Sequence, residues 1–406
     1  MMDTGERVSG ECDPRFEAVK SEFKRNFTER GEIGAAVCVY LDGRKVVDLW
    51  GGQADRETGK TWQEDTMAVV FSSTKGLAAM CLHILIDRGI IEVDAPVCKY
   101  WPEFAANEKD AITVGMVMSH QAGLPVWQES LPEGALLDWD FSAARLAAEA
   151  PVWEPGEQHG YHAVTLGTLE GEIVRRATGM KIGQFLRKEI AEPFGADVWI
   201  GLPENEEHRV ATAYMDEPNP NSPLFRKFME EPGWIGAKMM TNSGNDMALE
   251  IINSRARHAA EIPAAGGIVT ARGLARAYAP LSLDGSLDGQ RMVRERMLPL
   301  MRTTRSASSC DTILRVPTTF TLGFSKTWGA RSLGQGEHVI LGEHAFGTPG
   351  MGGSIGFADG DARIAFSYIM NFHGPGVGLN DRGQSLVDAV YRAVGYTSSE
   401  PGFWVR

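Results

Sequence analysis

Apolar residues run unbroken from Gly34 to Leu41 (GAAVCVYL) and resume, after Asp42-Gly43, from Lys45 to Trp50 (KVVDLW). Two such runs around an Asp-Gly step predict a β-hairpin, since both turn positions favour residues that tolerate positive φ. Upstream, Asp13 to Arg30 has helical apolar spacing and predicts an amphipathic helix able to pack on that sheet. Ser73 to Arg88 (STKGLAAMCLHILIDR) predicts a helix, stopped by Gly89 as its C-terminal cap.

Between about Asp110 and Ile262 the pattern is mostly helical, with segments at Ser142–Glu149, Ala163–Thr178, Ile182–Ile190 and Asp246–Ala260. Pro- and Gly-rich loops interrupt it, notably Asp216 to Ser222 (DEPNPNS), which reads as a surface excursion. After Ala264-Ala265-Gly266-Gly267 the signals change. Ala271–Leu281 reads as a helix, Thr319–Ser325, Gly356–Asp359 and Arg363–Met370 as strands, and Gly383–Val394 as a closing helix. Sheet signals at both ends with helices between predict an α+β fold. Its antiparallel sheet is flanked by helices and built from both chain ends (residues 1–75 and 263–406), with a mostly helical insertion (76–262) and a site in the cleft between them.

Composition narrows the function classes. With 43% apolar and 23% charged residues the chain is an ordinary globular one, and its 406 residues suit two or three structural units. A formal charge of −13, from 40 basic against 53 acidic residues, disfavours nucleic acid and anionic membranes as partners. Five scattered cysteines (Cys12, Cys38, Cys81, Cys98, Cys310) form no C-x-x-C pair and support neither a disulfide framework nor a thiolate metal site. The polar start, Met1 to Cys12, has no apolar signal-peptide core, and no run of 18 uncharged apolar residues occurs. A soluble, reduced, cytoplasmic protein without metal or cofactor is the expectation.

The sharpest chemistry lies in Phe71-Ser72-Ser73-Thr74-Lys75-Gly76. If Ser72 opens the helix, Lys75 lies one turn on, on the same face. A serine hydroxyl is a weak nucleophile until a neighbouring base takes its proton, and a lysine whose pKa is lowered by burial is such a base. The same S-x-x-K spacing recurs at Ser21-Glu22-Phe23-Lys24, inside a charged helix face where both side chains read as solvated. Gly352-Gly353-Ser354-Ile355-Gly356 satisfies G-x-S-x-G, but a nucleophile elbow needs a strand, a turn and a helix, whereas Phe357 to Phe366 reads as a hairpin. His159 and His162 have ligand-like spacing without an evident third ligand; hydrogen bonding near Tyr161 is the preferred reading.

Taken in order, Ser72-Ser73-Thr74-Lys75, Ile112-Thr113-Val114 with Ser119-His120-Gln121-Ala122-Gly123-Leu124-Pro125, Glu154-Pro155-Gly156 with Tyr161, Ala264 to Arg272, and Phe346 to Ser354 resemble the serine β-lactamase and penicillin-binding-protein superfamily. The similarity is closest to class C β-lactamase-like, or family VIII, carboxylesterases. It implies that Ser72 is acylated, that Lys75 accepts its proton, and that Tyr161 exchanges protons with Lys75 or acts as a phenolate base. It also implies an oxyanion hole from the backbone N–H groups of Ser72 and Met351, and a pocket drawing on Trp127, Gln121, Thr348 and Gly350. Two departures bear on substrate: Thr348-Pro349-Gly350 stands where relatives have Lys-Thr-Gly or His-x-Gly, and Ala163 replaces the asparagine of Tyr-x-Asn. Lys326-Thr327-Trp328-Gly329 is only a near match, placed too early. Small neutral esters are the implied substrates. A β-lactamase, D-amino-acid peptidase, amidase or acyltransferase using the same site is the alternative, and a non-catalytic relative a further one. Residues 216–234, with Phe225, Phe228 and Trp234, are either a lid or a plain excursion.

Overall fold

The computed structural model describes residues 8–333 and 336–406. Its centre is a seven-stranded antiparallel sheet. In chain order the main strands are β1 (Val8–Cys12), β2 (Gly34–Leu41), β3 (Arg44–Asp55), β4 (Phe346–Pro349), β5 (Ile355–Asp359) and β6 (Ile364–Met370), lying side by side as β1-β3-β2-β6-β5-β4. The short strand Lys60–Thr61 pairs with β3. The β2–β3 turn has φ of 51° at Asp42 and 76° at Gly43, the doubly left-handed geometry expected of a tight hairpin. β1 and the long extension of β3 carried no sequence signal. β3 continues to Asp55 because β1, β2 and Lys60–Thr61 supply pairing partners along it, not because its side chains alternate.

The sheet is buried on both faces. Val37, Val39, Leu49, Phe357 and Phe366 face α1 (Glu17–Glu29) and a helix near the C-terminus, Asp381–Ala393, through Val19, Phe23, Leu386 and Val390. The intervening residues Ala36, Cys38, Tyr40, Ala358 and Ala365 face Ala271–Tyr278, through Leu274 and Tyr278, and the central helix Thr74–Asp87 beyond it. This alternation is the period of two of a strand, and each large buried apolar side chain contributes about 1.5–3 kcal/mol. In chain order the helices that frame the sheet and the site are α1, α2 (Thr74–Asp87), α3 (Thr165–Thr178), α4 (Ala271–Tyr278) and α5 (Asp381–Ala393).

Helix α2 is buried nearly all round and ends before Gly89, whose φ is +72°. A small sheet of Ala68–Val69, Gly267–Val269 and Val198–Ile200 ties the approach to α2 to the Ala264–Val269 segment. Among the described residues no helix is long and apolar enough to cross a membrane.

Three expected elements differ. Asp246–Ala260 is two short helices, Leu249–Ile252 and Arg255–Ala259. Asn253 breaks it by turning its amide onto the Ala213 backbone (2.8 and 3.0 Å), and Ser254 starts the next turn by capping Arg257 N–H. Thr319–Ser325 is a strand only over Thr318–Phe320, because Gly323 (φ +82°) closes a turn from Thr321 N–H to Phe324 C=O. Ile182–Ile190 is α-helical to Leu186 and then widens into a π-turn over Arg187–Ala191. The Asp216–Ser222 excursion leads into a short amphipathic helix, Pro223–Glu230, capped by Ser222.

Candidate active site

Ser72 sits two residues before α2, whose N-cap is Ser73, and follows a residue in an unusual conformation: Phe71 has φ of +41°. Thr74 steadies this corner, its hydroxyl accepting from Gly267 N–H at 2.8 Å. Lys75, the second residue of α2 and three beyond Ser72, is buried with its Nζ 3.0 Å from Ser72 Oγ, 2.6 Å from the Ala163 carbonyl and 2.9 Å from the Ala264 carbonyl. Tyr161 completes the group, its hydroxyl donating to Ser72 Oγ at 2.8 Å and its ring centroid 4.9 Å from Lys75 Nζ. Thus the fold brings together all three residues expected from the sequence.

Burial sets the protonation balance. Removal from water drives the Lys75 pKa down to about 7, opposed by the charge of Glu170. The same desolvation raises the Tyr161 phenol above its ordinary value, against the hydrogen bond to Ser72. Glu170, on α3, is wholly buried with neither carboxyl oxygen hydrogen-bonded among the described residues, and burial pushes its pKa up to about 8 against the pull of Lys75.

Asp311 holds the site without having carried a motif, and it does so beside histidines that the sequence singled out. Asp311 is fully buried and its Oδ1 accepts N–H bonds from Tyr161 (3.1 Å), Ile313 and Leu314 (both 2.8 Å), while Oδ2 takes the Thr318 hydroxyl at 3.0 Å. One carboxylate thereby joins the Tyr161 loop to the 311–318 turn. His159 reaches Thr318 Oγ1 at 2.8 Å and lies 3.5 Å from Asp311. His162 accepts from Leu124 N–H at 3.1 Å, and its other nitrogen lies 2.7 Å from the Gly160 carbonyl. Both imidazoles are committed to these contacts, and among the described residues no group of three or more His, Cys, Asp or Glu is arranged to hold a metal. His120 packs between Tyr161 and Phe320, with centroids 5.1 and 4.2 Å away.

The opposite wall is the turn between β4 and β5. Gly350 has no room for a side chain, since a Cβ there would overlap the Val70 carbonyl and Ser354 Oγ. Asn380, capping α5, donates to the Gly352 carbonyl at 2.8 Å. The Ser72 and Met351 N–H groups have no acceptor among the described residues. Thr348 is buried, and its hydroxyl lies near the Tyr278 hydroxyl beside Gly76. Gln121 is held by Ser119 (2.8 Å) and the Gly156 carbonyl (3.1 Å). Trp127 is 2% exposed and lines a narrow cavity with Ala163, Met239 and Ser243.

The rival motifs assemble no second nucleophile, although Ser354 lies behind the site, 3.2 Å from Ser73 Oγ. Ser354 is buried, 3.1 Å from the Val70 carbonyl, and leads into strand β5 rather than a helix. Ser21 and Lys24 are exposed on α1. The charged neighbours of Lys326 are Glu343, Arg302, Asp359 and Asp361, all outside the site.

The Beta-lactamase family model matches residues 23–390. Over 375 residues the chain is 37% identical to the "Esterase/beta-lactamase LipL" of Mycobacterium tuberculosis, covering 91% of this chain and 84% of that protein. Among solved structures, a family VIII carboxylesterase superposes with a TM-score of 0.84 at 36% identity, covering 95% of this chain and all of that one. A penicillin-binding protein homologue from Caulobacter crescentus superposes at 0.81 with 35% identity, over 95% of this chain and 100% of that one.

Proposed function

The chain belongs to the beta-lactamase family, and we propose that it is a serine ester hydrolase in which Ser72 is acylated and Lys75 is the base. The observation that carries this reading is the hydrogen-bond pattern around Lys75. A neutral amine has two N–H bonds and one lone pair. The Ala163 and Ala264 carbonyls take up the two N–H bonds at 2.6 and 2.9 Å, which leaves the lone pair for the Ser72 hydroxyl at 3.0 Å. With its pKa near 7, Lys75 is present as the amine in a large fraction of molecules at neutral pH.

In the acylation step, Ser72 Oγ attacks the ester carbonyl carbon as its proton passes to Lys75 Nζ. The carbonyl oxygen becomes an oxyanion, and the Ser72 and Met351 N–H groups, free of internal acceptors, are suited to receive it. On collapse the carbon–alkoxide bond breaks and the alcohol leaves with the proton delivered from Lys75 by way of Tyr161, whose hydroxyl lies beside Oγ. Water then enters, loses a proton to the amine and adds to the acyl carbon; on collapse the carbon–Oγ bond breaks, the proton on Lys75 returns to Ser72 Oγ and the acid leaves. The raised pKa of Tyr161 favours a phenol that relays protons over the phenolate base that the resemblance allowed. The ring 4.9 Å from Nζ favours the ammonium as it forms.

The substrates proposed are small neutral carboxylic esters with short to medium acyl chains. Thr348 supplies no cation for a substrate carboxylate, and the loss costs a neutral ester nothing. The name of the M. tuberculosis relative couples esterase with β-lactamase, so β-lactam hydrolysis is the second reading. The test is labelling by a fluorophosphonate together with turnover of a p-nitrophenyl ester and a chromogenic cephalosporin. Ester turnover should exceed cephalosporin turnover, with label and turnover lost in Ser72→Ala and kept in Ser354→Ala. Faster cephalosporin than ester hydrolysis would transfer the assignment to the second reading.

A further inference from the structure

We propose that His373 is a positioning residue for this reaction, its buried ring bridging the two chain segments that supply the oxyanion N–H groups and fixing their separation. The inference rests on the assignment of Ser72 and Met351 to the oxyanion hole, and goes beyond it by naming what holds them.

On one side the imidazole meets the Phe71 ring edge-on, with centroids 4.7 Å apart and planes at 79°. Phe71 directly precedes Ser72, and its φ of +41° is strained for a bulky side chain. The direction of the Ser72 N–H therefore depends on what keeps the Phe71 side chain seated. On the other side, His373 lies hard against the Met351–Gly353 turn. A Cβ at Gly352 would overlap His373 Cβ, Gly374 N–H donates to the Gly352 carbonyl at 3.1 Å, and Gly352 N–H donates to Gly376 at 3.2 Å. The ring faces the Met351 carbonyl, yet neither ring nitrogen completes a hydrogen bond among the described residues.

The imidazole is 1% exposed and wedged between these two segments, where its flat ring sets their spacing. Burial, reinforced by the positive charge of Arg382, pushes its pKa down to about 3. The ring is therefore neutral wherever the enzyme works, and it acts by shape rather than by charge.

The experiment compares the intact chain with His373→Ala, His373→Phe and His373→Leu, measuring kcat and KM on a p-nitrophenyl ester, the rate of fluorophosphonate labelling and the melting temperature. His373→Ala should lose about 10–100-fold in kcat with KM within about two-fold, since a misplaced donor is felt mainly in the transition state. Labelling should slow in parallel. His373→Phe keeps an edge-on ring and should recover most of the loss. If His373→Ala fails to fold, His373→Leu, which fills the space without a flat ring, takes its place in the comparison with His373→Phe. Turnover of the ring-less variant within two-fold of the parent, an increase in KM alone, or a Phe variant as slow as the ring-less one would each overturn the proposal. If the parent protein retained its label in Ser72→Ala, the site assignment itself would fall. Normal Ser72 labelling with unimpaired ring-less variants defeats only the role of His373.

Discussion

Lys75 does its work only without its proton, and burial and one neighbour act on that proton in opposite directions. Burial strips water from the ammonium and lowers its pKa to about 7, while Glu170 raises it by charge attraction. The rate should therefore climb as pH rises through about 7, falling close to ten-fold per pH unit below it. Glu170→Gln keeps the shape and removes the ionisable carboxyl. Because burial holds the Glu170 pKa at about 8, that carboxyl is mostly protonated below pH 7, and the acid limb of kcat/KM should move little. Above about pH 8 the parent's carboxylate favours the Lys75 ammonium and the variant's amide does not, so the variant should gain more rate there, relative to its rate at pH 7, than the parent. Parent and variant profiles that coincide above pH 8 would show that Glu170 has no part in setting the base. Glu170 was invisible as a site residue in the sequence because, within an amphipathic helix, one glutamate reads like another; only its complete burial without a partner sets it apart.

At the scale of elements, the site depends on a loop and a turn as much as on α2. Tyr161 lies on an irregular segment whose backbone is tied down by Asp311, 150 residues later. Asp311→Ala removes the acceptor for three N–H groups and the Thr318 hydroxyl together. It should cost about 2–4 kcal/mol in denaturant unfolding and lower kcat at least ten-fold as Tyr161 drifts from Ser72. Retention of full turnover by a destabilised Asp311→Ala would mean that Tyr161 is held by His120 and Phe320 alone. Helices with strong periodicity and a glycine stop, such as α2, were legible from the sequence to within a residue or so. The 246–260 helix was not, because Asn253 satisfies a distant backbone amide and carbonyl in preference to continuing its own helix. No local pattern records such competition.

For the whole molecule, the sheet joins both chain ends, and a buried ion pair fastens that closure. Arg382 on α5 meets Glu32, just before β2, at 3.0 Å, with the Tyr368 hydroxyl also on Glu32 and Arg382 also bonded to the Phe372 carbonyl. Removing one partner leaves a charge stranded in the core, so Arg382→Met should destabilise by about 3–5 kcal/mol. Replacing Glu32 by Gln as well should recover much of that loss. A double variant as unstable as Arg382→Met would show that the cost lies in lost packing rather than in the stranded charge. The net charge of −13 acts at this scale too, because its field disfavours anionic substrates approaching a site that already lacks a cation at Thr348.

What the sequence by itself determined is the Asp42-Gly43 hairpin, the 73–88 helix with Ser72 just before it and Lys75 three residues on, the mixed fold built from both ends, and, through ordered motifs, Tyr161 as the third member. Such features are encoded in spacing, and spacing survives in one dimension. The tertiary structure alone decided that the Ala163 and Ala264 carbonyls flank the amine, that Asp311 anchors Tyr161, that Glu170 is buried within reach of the charge on Lys75 and that His373 lies between Phe71 and the Met351 turn. These are matters of distance and desolvation between residues up to about 300 positions apart in the chain. A pKa moved by burial has no value until the water has gone, and folding is what removes it.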